Sequence, residues 1–369
     1  MGVSAPTAAF KPRDEVVGVK TIYVMGTMGS GKTAVCLALA LRFRDEGKKV
    51  AYFKPIGVSP GPERLEDEDA LLMKEVLGMP QPLERIVLFH SSPHYLTRYR
   101  KGGEHLEAVI GAFKEVSAGA DVVIVEGITS PHVMLSLGLD APTIAGAIGA
   151  KVLMVNRIEN DYSLDTALSY NDYVTSRGLS IIGTIFNNIP RPWLDKVKGI
   201  YVPIMEDHRY NVLGVIPKRV EIAAPTVAEF VDALGGEVLT AEDRLDLLIE
   251  EVLVGAMTTE SAFTYLRRSA NKAVITGGDR ADLALAALET GTSCLVLTGG
   301  LYPDVRVVAR AEDKRIPIIL VHYDTYSTIE RLQQVSRKIK PGDQRAIRVA
   351  CESFETYCNW PEIARRVGA

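Results

Sequence analysis

The sequence has little of what several function classes require. Its net charge is −4, so no basic surplus points to nucleic acid or anionic lipid. No stretch reaches the roughly 18 uncharged apolar residues of a membrane span. The most apolar region, 141–155, is interrupted by Lys151 and is rich in Gly and Ala. The N-terminus lacks the basic-then-apolar profile of a signal peptide. It begins Met1-Gly2, but Pro6 stands where a myristoylation motif wants Ser or Thr. The cysteines, Cys36, Cys294, Cys351 and Cys358, form no CxxC pair and no disulfide framework. Cys36 and Cys294 lie in apolar runs and read as buried and inert. The histidines offer no metal cluster. His90 and His94 are separated by Pro93, which spoils the helical face a metal pair wants, and His132, His208 and His322 are isolated. The expectation is a cytoplasmic protein with reduced thiols, without a nucleic-acid or membrane partner.

What is present is an ordinary globular composition, 47% hydrophobic and 24% charged, in a chain of 369 residues that has room for two domains or three. Residues 1–18 are polar and aperiodic and read as an arm. Strands and helices then alternate. The strands "KTIYVMG", "KKVAYFKPIG", "ADVVIVEG", "AKVLMVNR", "LSIIGTIFNN" and "VLGVIP" are mostly apolar on consecutive positions. That pattern predicts a parallel sheet with helices on both faces. A second α/β unit starts near Val220. A helix leading into a strand, "APTVAEFVDALGGEVL", is followed by strands in "IEEVLVGAM", "NKAVITGG", "TSCLVLTGG" and "IPIILVHYD". The predicted organisation is an arm over 1–18, a P-loop domain over 19–219, a smaller α/β domain over 220–342 and a tail over 343–369 that holds a helix or two.

Gly26-x-x-x-x-Gly31-Lys32-Thr33 is a complete P-loop pattern. It follows a predicted strand and opens a predicted helix. Its glycines let the backbone curl so that the N–H groups of Gly29, Ser30, Gly31, Lys32, Thr33 and Ala34 form an anion nest at a helix N-terminus. Lys32 supplies charge to the outer phosphates, and the Thr33 hydroxyl suits Mg2+. A carboxylate is also needed for the metal. Glu126 ends its strand on the side where ligands of such sheets bind, whereas Asp121 lies at the opposite end. Asp67, Glu68 and Asp69 form an acidic cluster after the second strand, which alone reads as a solvated helix start. Lys54, on its own, is a lysine at a strand end.

"GTMGSGKT", "YFKPIG", "DEDALL", "VIVEG", "GTIFNNIP" and "LGVIP" occur in this order. The set resembles the ATP-dependent carboxylate-activating P-loop family of dethiobiotin synthetase and cobyrinic acid a,c-diamide synthase, over roughly residues 19–217. The resemblance implies that Lys32 and Thr33 serve the phosphates and Mg2+. It implies that Lys54 reaches the transferred phosphoryl group or a substrate carboxylate, that Asp69 and Glu126 hold the metal, and that Asn187, or its neighbour Asn188, recognises the base. The substrate side departs from dethiobiotin synthetase. Thr27-Met28-Gly29 lacks the second threonine of that family's loop, the serine after the Lys-Pro pair is displaced by one to Ser59, and "EGITSP" replaces its Glu-Gly-Ala-Gly-Gly. The amidotransferase elbow of the cobyrinate enzymes is missing.

"TGGDRADL" holds Asp279 and Arg280, and "LVLTGG" holds Thr298, Gly299 and Gly300. This second unit looks like a DRTGG domain. The combination is similar to the N-terminal half of long phosphotransacetylases, over roughly 19–342. In those enzymes this half is regulatory, and the chain is expected not to be a phosphotransacetylase by itself. The resemblance implies an ATP-binding sensor with a second ligand or partner site at Asp279, Arg280, Thr298, Gly299 and Gly300. Those residues read equally well as fixing their own turns. The alternatives are an ATP- and Mg2+-dependent ligase that forms an acyl phosphate on an unknown carboxylic acid, and an interaction protein with a vestigial site. A homodimer is implied by the P-loop relatives.

Overall fold

Apolar residues on consecutive positions leave a strand no solvent face, so it must sit inside a sheet covered on both sides. The first strand, β1 (Lys20–Gly26), is buried at every position after Lys20. The computed structural model describes residues 18–58, 67–92, 94–98, 104–333, 335 and 339–368. The N-terminal arm, apart from Gly18, and Ser59 lie outside the described residues.

After β1 come α1 (Lys32–Asp45), β2 (Val50–Phe53), β3 (Ile56–Val58), α2 (Glu68–Leu77), α3 (Leu83–Ile86), β4 (Phe89–Ser91), α4 (Glu104–Ser117) and β5 (Val122–Glu126). Then follow α5 (Ala141–Ala147), β6 (Lys151–Arg157), α6 (Tyr162–Ser176), β7 (Ile181–Ile189), α7 (Leu194–Lys196), a π-helical turn at Val197–Tyr201, α8 (Val202–Asp207) and β8 (Val212–Pro217). The main sheet is six-stranded, in the order β2-β5-β1-β6-β7-β8. Every pairing in it is parallel. β1 is central, and the chain builds to one side of it through β2 and β5 and to the other through β6 to β8. Such a reversal opens a crevice beyond the strand C-termini, here beside the end of β1. The sequence pattern read "KKVAYFKPIG" as one strand. The structure breaks it at Lys54-Pro55, and β3 leaves the main sheet to pair with β4. Proline has no N–H for a ladder, which accounts for the break.

The second unit runs through α9 (Val220–Ala223), α10 (Val227–Leu234), β9 (Glu237–Thr240), β10 (Glu251–Val254), α11 (Thr259–Leu266), β11 (Lys272–Gly277), α12 (Ala281–Leu288), β12 (Thr292–Thr298), α13 (Val305–Lys314), β13 (Ile318–Leu320) and α14 (Thr325–Gln333). α10 is fixed at its start by a capping box between Thr226 and Glu229 and ends at Gly235, φ 60°. The sheet order is β10-β11-β12-β13-β9. β9 runs antiparallel to β13, and the other three pairings are parallel. Apolar clusters fill both faces, one around Leu283, Leu295 and Ile318 and the other around Phe230, Ile275 and Val296.

The chain then returns to the first unit. α15 (Gln344–Tyr357) and α16 (Trp360–Val367) belong with residues before 220, and the second unit spans Val220–Lys338. The segment predicted as a tail is therefore part of the first unit's wall. Asn359 N–H donates to Leu213 O at 2.7 Å. Cys358 bridges Gly214, where a Cβ would lie 2.5 Å from the thiol sulfur. The exposed edge of β8 is covered in this way. Among the described residues no helix is long and apolar enough to cross a membrane.

Candidate functional site

The turn after β1 is built on close approach. A Cβ at Gly26 would lie 1.8 Å from Val155 O, so only glycine lets β1 and β6 run this near. Gly29 and Gly31 take φ of 67° and 78°, in the left-handed region. A Cβ at Gly31 would sit 2.4 Å from Asn187 Nδ2. That amide donates to Ser30 O at 2.8 Å, so Asn187, on β7, braces the loop from one side.

The loop leaves its donors unengaged. Ser30 N–H donates to Thr27 O at 3.3 Å. The N–H groups of Gly31, Lys32, Thr33 and Ala34 make no hydrogen bond among the described residues. The Ser30 hydroxyl is fully buried and without a partner. A row of unpaired N–H groups at the start of a 14-residue helix is an anion site by geometry and by dipole. These donors and the orphaned Ser30 hydroxyl fit a bound polyphosphate.

Around this loop seven side chains, Lys32, Thr33, Tyr52, Lys54, Asp67, Asp69 and Glu126, form one largely buried group. Lys32 Nζ donates to Thr27 O at 2.8 Å. Thr33 Oγ1 donates to Glu126 Oε1 at 2.9 Å, and the Tyr52 hydroxyl donates to Glu126 Oε2 at 2.8 Å. Lys54 Nζ donates to Asp67 Oδ1 at 2.9 Å and to Asp69 Oδ2 at 2.6 Å, and lies 3.9 Å from Glu126 Oε1. Burial lowers the Lys32 pKa to about 8, with Glu126 opposing the shift. Burial works against the charge on Lys54 too, but Glu126, Asp69 and Asp67 together outweigh it and raise its pKa. Burial raises the Glu126 pKa against the pull of Lys54.

The structure thus brings together Lys32, Thr33, Lys54, Asp69 and Glu126, with Asn187 on the far side of the loop. Asp67 is more than part of a solvated helix start. Its Oδ1 also caps α2, accepting from Ala70 N–H at 3.0 Å. Asp121, at the other end of β5, accepts from Lys49 N–H at 2.8 Å and is structural. Sequence reasoning missed Tyr52. The signal was there: Tyr52 and Lys54 are two apart in an extended segment, so they share a side. Among the described residues no group of three or more His, Cys, Asp or Glu is arranged to hold a metal. Mg2+ would therefore be held by Thr33, Asp69 and Glu126 only together with phosphate and water.

In the second unit the DRTGG residues do gather at strand C-termini, but their polar groups are engaged locally. Gly299 N–H donates to Tyr323 O at 2.8 Å, Gly300 N–H to Val321 O at 2.9 Å and Gly278 N–H to Thr298 O at 3.2 Å. Arg280 makes two bonds of 3.0 Å to the Asp282 carboxylate. Thr298 Oγ1 lies 3.0 Å from Thr325 Oγ1. Asp279 folds back so that a Cβ on Gly277 would lie 2.5 Å from its Oδ1. A Cβ on Gly278 would strike Leu301 O at 1.9 Å. Gly278 has no room for a side chain and Gly299 and Gly300 take φ of 85° and 65°, so the turns themselves call for these glycines, whose N–H groups are engaged within them.

With the loop and its strand–helix setting in view, comparison with known proteins is decisive. A family profile described as an AAA domain matches residues 20–226, more than half of the chain. The chain belongs to this AAA-domain family. A DRTGG-domain profile matches residues 229–335 of the same AAA-domain chain. An AAA domain followed by a DRTGG domain is the architecture of the N-terminal half of phosphotransacetylases. The phosphate acetyltransferase of Nitratidesulfovibrio vulgaris is 26% identical, across 94% of this chain and 51% of its own. That of Pseudomonas putida is 27% identical, across 95% of this chain and 52% of its own. The chain spans about half the length of the curated relatives it matches. A looser overlap, TM-score 0.29 at 19% identity over 42% of this chain and 76% of the other, is found with the CBS and DRTGG domains of the regulatory region of Clostridium perfringens pyrophosphatase complexed with diadenosine tetraphosphate; so loose an overlap carries no argument.

Proposed function

We propose that the first unit binds ATP with Mg2+ and that the protein is a regulatory nucleotide-binding protein, with the DRTGG unit offering a second ligand or partner site. The observation that carries this reading is the run of unpaired N–H donors from Gly31 to Ala34, backed by Lys32 at the head of α1. Lys32 would meet the outer phosphates. Asn187, whose Nδ2 lies on the loop, would recognise the base. Three carboxylates, Asp67, Asp69 and Glu126, face Lys54, and Glu126 and Asp69 also act on Lys32, which favours a divalent cation beside Thr33. When bound, the metal would neutralise phosphate charge. A role for Asp279, Arg280, Thr298, Gly299 and Gly300 in the second site rests on the exposed Asp279 and part-exposed Arg280 side chains, since Thr298 is buried and the glycine amides are engaged. Reduced thiols, a cytoplasmic setting and a homodimer belong to the same reading.

A ligase reading has one observation in its favour, the presence of Lys54 next to Glu126 and Asp69. Against it, the Lys54 charge is already held by carboxylates at 2.6 and 2.9 Å, so it is a brace for the acidic wall rather than a free cation. Calorimetry with MgATP is expected to show binding by the wild type and by Lys54→Ala, and none by Lys32→Ala. Turnover with a panel of carboxylic acids is expected to stay slow. Rapid, acid-stimulated ATP hydrolysis that Lys54→Ala abolishes would establish the ligase instead.

A further inference from the structure

We propose that Arg157 is a phosphate-binding residue of the P-loop site and that Glu159 is the exchangeable counter-ion that holds it until a polyphosphate arrives. The proposal rests on the nucleotide reading of the first unit and adds to it a residue that no P-loop pattern specifies.

The placement follows from the sheet. β6 is the neighbour of β1, with Val155 in register with Gly26. Because Gly26 leaves no gap there, the residues that follow Val155 run along the loop rather than away from it. Arg157 N–H donates to Thr27 Oγ1 at 3.4 Å, at the entry of the loop. Its guanidinium reaches the outer turn, where a Cβ on Gly29 would lie 3.4 Å from Arg157 Nη1. Across the β6–β7 pairing, Arg157 is in register with Asn187. The two therefore hold the loop from successive stations. Asn187 is on Ser30 and Gly31, and Arg157 is on Thr27 and Gly29.

The chemistry differs between the two. An amide can brace a carbonyl, as Asn187 does. A guanidinium against the glycine turn of an anion nest adds a permanent positive charge and a planar fork that matches phosphate oxygens. Its present partner is Glu159, with Arg157 Nη2 at 2.8 Å from Glu159 Oε1. The two side chains are 42% and 58% exposed, so water already weakens that pair. A polyphosphate offers more negative charge than one carboxylate, in a site lined by N–H donors. Exchange from Glu159 to phosphate is a side-chain rotation with no change in the backbone. A purely structural Arg157 would brace the loop through its backbone N–H, and its side chain would then be dispensable.

The test measures MgATP affinity by calorimetry and nucleotide-free melting temperature for wild type, Arg157→Ala, Arg157→Lys, Glu159→Gln and the control Lys32→Ala. Arg157→Ala is expected to weaken MgATP about 10-fold or more while leaving the melting temperature unchanged. Arg157→Lys is expected to restore part of that loss. Glu159→Gln is expected to tighten MgATP severalfold, since the competitor for the guanidinium is gone, and that gain should vanish when Arg157→Ala is added. If the wild type binds and Lys32→Ala does not, yet Arg157→Ala binds as the wild type does, the nucleotide reading stands and the proposal is overturned. Glu159→Gln binding no tighter than wild type would overturn the counter-ion role. Absence of MgATP binding by the wild type overturns both.

Discussion

Lys32 is buried where its charge has one neutral partner, the Thr27 carbonyl, and its pKa is lowered to about 8 by desolvation. Phosphate prefers the charged form, so binding pulls a proton on. As pH rises through about 8 the free site loses its cation, and MgATP affinity is expected to fall about 10-fold between pH 7 and pH 9. Folding stability moves the other way. The unfolded lysine binds its proton more tightly than the folded one, so this group's penalty on the free protein is lifted as pH rises from about 8 toward the ordinary lysine value. Calorimetry across that range checks the first effect, and Lys32→Arg, whose guanidinium does not titrate there, should flatten it. The residues that carry the phosphate site were legible in the sequence because a P-loop is local, eight positions with a backbone purpose. The carboxylate wall was only half legible. Glu126 stood out at a strand end, but Tyr52 meets it from 74 positions away, and Asp67 looked like a solvated helix start until Lys54 was seen lying on it. Arg157 gave no signal at all, since an arginine at the end of a strand reads as surface.

The elements were read from continuous apolar runs, and that reading holds for the interior strands of both sheets, such as β1, β5, β11 and β12, because burial on two faces is a property of each such strand alone. What it could not supply were features fixed by partners distant in sequence. The antiparallel direction of β9 and the pairing of β3 with β4 depend on which edge is free when they arrive. The place of α15 and α16 was hidden for the same reason. Their apolar stripes say that something is covered, not what. The structure answers with Trp360. Its ring meets Phe43 of α1 edge to face at 4.7 Å, its Nε1–H donates to Glu46 at 2.8 Å, and the Arg42 guanidinium lies 5.7 Å above it. Phe354 of α15 completes the group at 6.2 Å. α1 is also the helix that begins at the phosphate site, so these C-terminal helices hold the back of the element whose front offers the N–H donors. Trp360→Ala is expected to destabilise the first unit by about 3–5 kcal/mol, read as a lower urea midpoint. Trp360→Phe, which keeps the ring and loses the bond to Glu46, should recover most of that.

The two units differ in a way that makes their coupling measurable. Both tryptophans of the chain, Trp193 and Trp360, lie in the first unit, and the second has none. Tryptophan emission during denaturation therefore follows the nucleotide-binding unit alone, while far-ultraviolet circular dichroism follows both. A ligand that binds the folded first unit raises its stability by mass action, about 2.7 kcal/mol at a concentration 100 times Kd. MgATP is thus expected to move the emission transition upward by that amount. The two functional readings part at the second unit. A sensor must pass a coupling free energy from one site to the other, and coupling is reciprocal, so the dichroism transition assigned to the DRTGG unit should shift with MgATP as well. A ligase working entirely within the first unit needs no such transfer, and the second transition should then stay where it was. Lys32→Ala supplies the control, since without nucleotide neither transition moves. A shift confined to tryptophan emission would count against regulation and return Lys54, with its three carboxylates, to the centre of the chemistry.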